Sequence, residues 1–288
     1  MPFQLGKQKK HITFKSDDKI IYILMAIGRQ IRLSRILKNG KMLCIPLDHG
    51  ITNGPIPGLE DVYGLIYKCE KSGVTSIIIN KGIIKSLPRP PTVGLIAHLS
   101  ASTSLGLSPN KKVQMGGVED AIRLGADGIS VHINIGAKEE PDMLQKLGMI
   151  SDKCNEWNVP LIAMMYPRGE NIRDPYNVDI VSHVARIGAE AGADIVKTVY
   201  TGDRNSFKNV VRTCPVPVVI AGGPKATTDE DILEMCDGAM QAGAIGVTFG
   251  RNIFQHKNPP QILNALSRII FNSEKPNEAL RNIVSSKK

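Results

Sequence analysis

The stretch Gly192–Tyr200, with the sequence GADIVKTVY, decides the fold, because a glycine and a small residue precede an almost unbroken apolar run. The same order recurs at Gly73-Val74 before Ser76–Ile79, at Gly125-Ala126 before Gly128–Ile133 and at Gly243-Ala244 before Ile245–Phe249. The residues ahead of each glycine have helical character, and glycine commonly follows the end of a helix. An apolar, β-branched run is typical of a buried strand. The sequence therefore predicts a repeating helix–turn–strand unit.

Eight segments fit a buried strand once the gaps between these phrases are filled. They are Met42–Asp48, Thr75–Asn80, Val93–Leu99, Gly128–Asn134, Pro160–Tyr166, Asp194–Tyr200, Pro217–Gly222 and Ile245–Gly250. Near-continuous apolar strands separated by helical patterns indicate a parallel sheet covered on both faces. Eight such units in about 250 residues predict an α/β fold of the TIM (β/α)8 barrel type. A doubly wound open sheet is the alternative, but its usual GxGxxG motif after the first strand is replaced here by Leu47-Asp48-His49-Gly50.

Composition and charge place the barrel within the chain. Hydrophobic residues make up 42% and charged residues 22% of 288 positions, values close to those of globular proteins. Residues 1–41 hold ten of the 36 Lys and Arg but two of the 27 Asp and Glu. We therefore expect residues 1–24 to be a basic, disordered extension, with Met25 as a candidate start site. Residues 25–288 are expected to form one barrel domain with a C-terminal helix. The nearly neutral body argues against nucleic-acid binding.

Cysteine usage and hydropathy bear on the compartment. The five cysteines are scattered and form no CxxC motif, so neither a disulfide framework nor a zinc site is expected. A reducing, cytoplasmic setting fits this pattern best. The longest apolar run, Ile20–Ile27, is too short to span a bilayer, so no membrane association is expected.

Lys197 is the most informative candidate for catalysis, because it interrupts the apolar run of the sixth predicted strand. Lysine is rarely buried without a partner, since desolvating an ammonium is costly. Inside a barrel we expect burial to lower the pKa of Lys197, and a neutral amine can form a Schiff base with a carbonyl compound. The alternative is a lysine on the outer wall, extended between helices.

Other candidates also lie at predicted strand ends, where TIM barrels carry their active groups. Tyr166 follows the fifth strand and could transfer protons, or its ring could simply pack in the core. Asp48 could orient Lys197 or act as a base, or it could be a turn residue. His49 beside it fits a structural histidine as well as a binding one. A divalent-metal site that uses Asp48, His49, His98 and His132 stays open, although no dense ligand spacing supports it.

Two glycine loops favour a phosphate site. Gly222-Gly223 follows the seventh strand and Gly250-Arg251 follows the eighth. The loops after these two strands often bind phosphate in TIM barrels. Glycine lets backbone N–H groups approach an anion, and arginine can add a bidentate contact. Either loop alone could be an ordinary turn.

Taken together, these motifs resemble those of the class I, Schiff-base aldolases of the archaeal fructose-bisphosphate aldolase type. The similarity runs from about Met25 to Ser273. The matching motifs are Pro46–Gly50 with Asn53-Gly54-Pro55, Ala163–Gly169, Asp194–Thr198, Ala221–Lys225 and Gly250–Gln255.

The resemblance implies a role for each matching position. Lys197 would form the Schiff base, Tyr166 would donate and accept the proton, and Asp48 would be the acid/base carboxylate. The residues that would bind the substrate or its phosphate are His49, Gly50, Ile51, Thr52, Pro167, Arg168, Gly222, Gly223, Gly250 and Arg251. The family needs neither a metal nor an organic cofactor and commonly forms large homo-oligomers, a decamer among them.

The resemblance also implies a choice of substrates. The motifs are most similar to the branch of the 2-amino-3,7-dideoxy-D-threo-hept-6-ulosonate synthases, which join a fragment of 6-deoxy-5-ketofructose 1-phosphate to L-aspartate semialdehyde on an alternative route to aromatic amino acids. His98–Thr103 is closer to the aminohydroxybenzoate-pathway synthases, which use dihydroxyacetone phosphate. Asn80 departs from the histidine expected in both branches. Fructose-bisphosphate aldolase, a phosphosugar thiolase and a non-enzymatic binder stay open as alternatives.

Overall fold

The computed structural model describes residues 13–16, 19–22 and 26–285. Its strands are β1 (Thr13–Ser16), β2 (Lys19–Tyr22), β3 (Met42–Pro46), β4 (Ser76–Asn80), β5 (Gly94–His98), β6 (Ser100–Ala101), β7 (Val113–Gln114), β8 (Gly128–Ile135), β9 (Leu161–Pro167), β10 (Ile195–Val199), β11 (Val218–Ala221) and β12 (Gly246–Thr248). Its helices are α1 (Ile27–Ile36), α2 (Gly50–Asn53), α3 (Val62–Cys69), α4 (Lys81–Lys85), α5 (Val118–Arg123), α6 (Glu140–Glu156), α7 (Val178–Glu190), α8 (Arg204–Thr213), α9 (Asp229–Gln241), α10 (Arg251–Phe254), α11 (Pro259–Asn272) and α12 (Pro276–Ser285).

Eight parallel strands close into a barrel in the order β10-β11-β12-β3-β4-β5-β8-β9. Each of them corresponds to one predicted strand, so the prediction of a TIM barrel is confirmed. The observed ends differ by one or two residues from the predicted ones; β3, for example, ends at Pro46 and leaves Leu47 and Asp48 in the following loop. The backbone therefore frees Asp48 from the sheet at the point where the barrel opens.

The recurring glycines explain the regularity of the barrel. Gly73, Gly125, Gly192 and Gly243 all have positive φ, between 80° and 100°. Side-chain-bearing residues rarely adopt this conformation, which reverses the chain between a helix and the next strand. The phrase that predicts the fold is therefore a local backbone requirement repeated four times.

Helix α1 closes the amino-terminal end of the barrel. Its Leu33 and Ile36 pack into the cluster that fills the barrel interior. Arg29 and Arg35 of this helix form ion pairs at 2.9 and 3.0 Å with Asp194 and Asp127, which stand just ahead of β10 and β8. With this end covered, the carboxyl ends of the strands form the open end.

The structure describes part of the basic head, the five cysteines and the helices on which the compartment prediction depends. Strands β1 and β2 pair antiparallel within the head, whereas Met25 lies outside the described residues. The division into an extension and a barrel domain stays a prediction. All five cysteines are free and buried. Within the described ranges, no helix is long and apolar enough to cross a membrane.

Candidate functional site

Lys197 projects into the barrel, one layer below the open end. It lies on β10 in register with Met164 of β9 and Val219 of β11, both members of the interior cluster. Its side chain is buried, with 4% of its surface exposed, and Nζ lies 3.9 Å from Met164 Sδ. This position excludes the outer-wall alternative, because a lysine there would lie among the surrounding helices.

The charge state of Lys197 differs from the expectation. Burial acts to lower its pKa, but Tyr166, Asp48 and Cys44 act in the opposite direction, and Tyr166 also forms a side-chain hydrogen bond with it. The net result is a pKa above the ordinary lysine value. The prediction of a lowered pKa is therefore wrong for this substrate-free site, because three neighbours contributed by β3, its loop and β9 outweigh desolvation.

Tyr166 stands beside Lys197 at the end of β9. It is half-buried, and its ring centroid lies 4.8 Å from that of His132. The guanidinium of the exposed Arg168 lies 5.5 Å from the centroid of the same ring. His132 is fixed in turn by a 2.8 Å hydrogen bond between its Nε2 and Asn134 Oδ1. Tyr166 therefore packs on His132, and its hydroxyl interacts with Lys197.

Asp48 lies between two histidines in the loop after β3. His98 Nε2 lies 3.6 Å from Asp48 Oδ2, and His49 Nδ1 lies 3.6 Å from Asp48 Oδ1. Desolvation acts to raise the pKa of Asp48, but His98, His49 and Lys197 outweigh it and lower the pKa. The group is therefore a carboxylate at neutral pH. Within the described residues, the buried Asp48 Oδ1 and His49 Nδ1 have no hydrogen-bond partner.

His98 lies at the site beside Asp48, whereas the sequence indicated it only as a ligand of a possible metal ion. It is 4% exposed at the end of β5, and its Nδ1 forms a 2.8 Å hydrogen bond with Ser130 Oγ. Burial lowers its pKa to about 4, so the ring is neutral at physiological pH. Within the described residues, no three His, Cys, Asp or Glu side chains are grouped as metal ligands. The sequence feature that could have identified His98 as a site residue is its position at the end of a predicted strand.

The two glycine loops meet across β11 and β12. Arg251 Nη2 donates to the Gly223 carbonyl at 2.9 Å. Asn252, 2% exposed, donates to the Gly222 carbonyl at 2.9 Å and accepts from the Ala226 N–H at 2.8 Å. Asn252 thus joins the loops and is a second residue absent from the predicted site, although it lies beside a predicted one. The loops present backbone groups and one exposed guanidinium on the same side of the opening.

His49 connects the glycine loops with Asp48. Its ring lies edge-on to Phe254, with centroids 5.1 Å apart, and packs directly on Gly250. A Cβ built on Gly250 would lie 2.7 Å from His49 Cε1. Gly250 therefore has a packing requirement beside any part in phosphate binding.

The remaining predicted residues lie after β3 and at the end of β9. Gly50 and Ile51, in helix α2, line a cavity of about 420 Å³ at the open end. The Thr52 carbonyl accepts a hydrogen bond from the Ser104 N–H at 2.9 Å, and Pro167 is buried opposite Ile135. The contacts of Thr52 and Pro167 are thus structural ones, away from the amine.

A family model and the sequences of known proteins relate this chain to the same group of aldolases and synthases. A family model described as DeoC/LacD family aldolase matches residues 42–256, a range that includes every predicted site residue. A 2-amino-3,7-dideoxy-D-threo-hept-6-ulosonate synthase 1 from Archaeoglobus fulgidus is 42% identical over 85% of this chain and 91% of its own length. A 2-amino-4,5-dihydroxy-6-oxo-7-(phosphonooxy)heptanoate synthase from Streptomyces griseus is 37% identical with the same coverage.

Solved structures agree with this result. A Schiff-base-forming fructose-1,6-bisphosphate aldolase superimposes with a TM-score of 0.80 at 30% identity, over 85% of this chain and 100% of that one. An archaeal fructose-1,6-bisphosphate aldolase whose catalytic lysine is bound to a carbinolamine intermediate has a TM-score of 0.79 at 30% identity, over 84% and 99% of the two chains.

Proposed function

Since this chain belongs to the DeoC/LacD family of aldolases, we propose that it forms and breaks carbon–carbon bonds in a keto-sugar phosphate through a Schiff base on Lys197. One observation supports this most: a buried amine lies within reach of a carboxylate and a phenol, Asp48 and Tyr166. An amine, a base and a proton donor are the groups that imine chemistry needs.

The first step in the proposed mechanism is deprotonation. Lys197 is an ammonium in the substrate-free site, and Asp48 is the adjacent carboxylate that accepts its proton, directly or through a bound water. Neutral Nζ then adds to the ketone carbonyl, and Asp48 returns the proton to the carbinolamine hydroxyl, which leaves as water and gives an iminium. The iminium takes up the electron pair of the breaking carbon–carbon bond while the hydroxyl proton of the departing fragment passes through Tyr166 to the Asp48 carboxylate, which yields an aldehyde fragment and an enamine. After these steps the donor fragment is covalently bound to Lys197 as the enamine.

The second half joins this fragment to an acceptor. The enamine carbon adds to an aldehyde, and the same proton returns from Asp48 through Tyr166 to the oxygen that becomes the new hydroxyl. Water then hydrolyses the iminium, which releases the product and restores Lys197. The donor phosphate binds at Gly222, Gly223, Gly250 and Arg251, where an exposed guanidinium lies over two glycine loops. This placement leaves the carbonyl carbon to reach inward toward Lys197.

For the substrates, we favour the reaction suggested by the printed name of the archaeal relative. In it, 6-deoxy-5-ketofructose 1-phosphate supplies the fragment and L-aspartate semialdehyde accepts it. The Streptomyces relative favours dihydroxyacetone phosphate as the alternative donor. The proposal includes a cytoplasmic location and a homo-oligomer, which the resemblance implies to be a decamer. Light scattering on the purified protein measures the oligomer.

Borohydride trapping tests the proposed function. The protein is incubated with either donor, reduced and digested, and the adduct is located by peptide mass spectrometry. We expect a reduced adduct on Lys197 that is absent in Lys197→Met, and the donor trapped more efficiently identifies the branch. A folded wild-type protein that forms no adduct with either donor, or forms one on another lysine, contradicts the proposal.

A further inference from the structure

His98 stands between the Asp48 carboxylate and a buried hydroxyl. On one side of its ring, Nε2 lies 3.6 Å from Asp48 Oδ2. On the other side, Nδ1 lies 2.8 Å from Oγ of Ser130, which is in register with His98 on the neighbouring strand β8. Because Ser130 is fully buried, its hydroxyl does not meet a substrate. Ser130 can therefore act on the site only through the imidazole.

The surroundings of His98 keep its ring neutral. Burial is the main cause of its low pKa of about 4. The charged groups that bear on the ring are Asp48, Lys197, Lys112 and Lys146, so three lysines act against one carboxylate. At neutral pH the ring has one N–H and one unprotonated nitrogen, and its two polar neighbours determine which nitrogen carries the proton.

These neighbours select the tautomer with the proton on Nε2. A carboxylate oxygen only accepts hydrogen bonds, so Asp48 Oδ2 favours an N–H at Nε2. A serine hydroxyl can donate, so Ser130 can give its proton to an unprotonated Nδ1. The opposite tautomer would place the lone pair of Nε2 against the charge of Asp48. At 3.6 Å the contact with Asp48 is longer than a hydrogen bond, as catalytic contacts often are before substrate binds.

We propose that His98 is a positioning residue for Asp48: its Nε2–H points to Oδ2, Ser130 anchors the ring from behind, and Oδ1 is left to take up and return the proton. The inference rests on the proposed function, in which Asp48 is the base. Oδ1 is buried and, among the residues that the structure describes, has no hydrogen-bond partner, so the two carboxylate oxygens differ in their surroundings. His98 itself gains and loses no proton in the cycle.

Nitrogen-15 NMR tests the tautomer in the substrate-free protein. The protein is labelled at its six histidines, and comparison with His98→Gln assigns the ring signals of His98. At pH 7 we expect a protonated Nε2 and an unprotonated Nδ1. The Nδ1 signal should shift in Ser130→Ala, because its hydrogen-bond donor is lost. A protonated Nδ1 at pH 7, alone or in a charged ring, overturns the inference whatever the activity of the variants.

Two substitutions separate a neutral donor from a histidine that carries charge or transfers protons. In His98→Gln, the carboxamide can accept from Ser130 and donate to Asp48, but it does not titrate. In His98→Met, a side chain of similar length does neither. Turnover is measured with L-aspartate semialdehyde and the donor that borohydride traps more efficiently. We expect kcat to fall less than about threefold in His98→Gln and about 10- to 100-fold in His98→Met.

The pH profile gives a readout that a packing defect does not move. In His98→Met, Asp48 loses the N–H that favours its ionised form, so its pKa should rise. The acidic limb of the kcat profile should then move to higher pH in His98→Met and stay in place in His98→Gln, with the donor KM changed less than about threefold in both. Equal losses of kcat in the two variants overturn the inference.

Ser130→Ala tests the anchor. We expect kcat to fall about three- to tenfold, and Ser130→Thr, which keeps a hydroxyl, to restore most of it. Ser151→Ala is the matched control, because Ser151 is also buried and its hydroxyl donates to the Gly192 carbonyl from helix α6. An equal loss in Ser130→Ala and Ser151→Ala would overturn the role of Ser130.

The two proposals fail in different ways. Failure of donor trapping in the wild type contradicts the proposed function. A protonated Nδ1 on His98 contradicts the positioning role even where trapping on Lys197 succeeds, because the NMR measurement needs no substrate.

Discussion

At the scale of the residue, the substrate-free site holds a buried ammonium, Lys197, and a buried carboxylate, Asp48. Lys197 is protonated because Tyr166, Asp48 and Cys44 together outweigh its burial, and Asp48 is ionised because His98, His49 and Lys197 outweigh its own. Ammonium and carboxylate thus stabilise each other in a place where either alone would be costly. Substrate binding has to move one proton from Lys197 before an imine can form, so each variant of this group should show its effect in a pH profile.

Asp48→Asn removes the anion that raises the pKa of Lys197. The pKa of Lys197 should fall, so the midpoint of the pH dependence of imine trapping should move to lower pH. Turnover should nevertheless drop by about 100-fold or more, because the acid/base carboxylate is lost. Trapping rates between pH 6 and 10 measure the shift, and an unmoved midpoint would show that Asp48 does not control the amine.

Tyr166→Phe removes the hydroxyl beside Lys197 and keeps the ring that packs on His132. Imine formation should persist, since the amine and Asp48 are intact. Carbon–carbon bond formation should slow by about 100- to 1,000-fold, because no group at that position donates the proton. Parallel measurement of trapping and steady-state turnover separates the two steps, and normal turnover would exclude Tyr166 from proton transfer.

At the scale of the element, the site depends on how loops from separate strands are tied together. Asn252 joins the loops after β11 and β12, His49 packs the loop after β3 onto Gly250, and Asn80 at the end of β4 bonds to the Asp48 carbonyl. The glycine motifs could be predicted, because each lies within a few residues of a recognisable strand. The ties could not, because they join residues about 30 to 200 positions apart.

Arg251→Ala tests the glycine loops as one phosphate-binding unit. Arg251 is exposed and donates to the Gly223 carbonyl. Its loss should therefore leave the barrel folded and weaken only the binding of the donor phosphate. KM for the phosphorylated donor should rise about 10- to 100-fold with kcat changed less than about threefold, since charge-assisted contacts to phosphate stabilise ground and transition states alike. Lys225→Ala, on the neighbouring loop after β11 and bonded to the Gln255 carbonyl, is the comparison. An unchanged donor KM in Arg251→Ala would remove that residue from the site.

At the scale of the whole molecule, the barrel could be predicted because its repeating unit is local. A glycine of positive φ and the β-branched run after it lie within about ten residues, and eight apolar runs separated by helical patterns favour a closed parallel barrel. The direction of the Lys197 pKa shift could not be predicted, because it depends on Tyr166, Asp48 and Cys44, which closure of the barrel brings together. Burial alone was foreseeable from the apolar run; the identity of the groups buried with Lys197 was not.

Stability against acid is a property of the whole barrel that one of these buried groups controls. His98 has a pKa of about 4 in the folded protein, lowered mainly by burial, against about 6.5 when unfolded. As the pH falls below about 6.5, the unfolded chain takes up a proton at His98 that the folded protein does not. Folding should therefore lose about 2 kcal/mol between pH 7 and pH 5 through this group alone.

His98→Gln keeps a hydrogen-bonding side chain beside Ser130 and removes the titration, so its stability should fall less than that of the wild type over this interval. His183→Gln, at an exposed position on α7, is the matched control and should lose as much stability as the wild type. Urea unfolding at the two pH values measures the difference, and equal losses in His98→Gln and wild type would show that His98 is not held neutral by the fold.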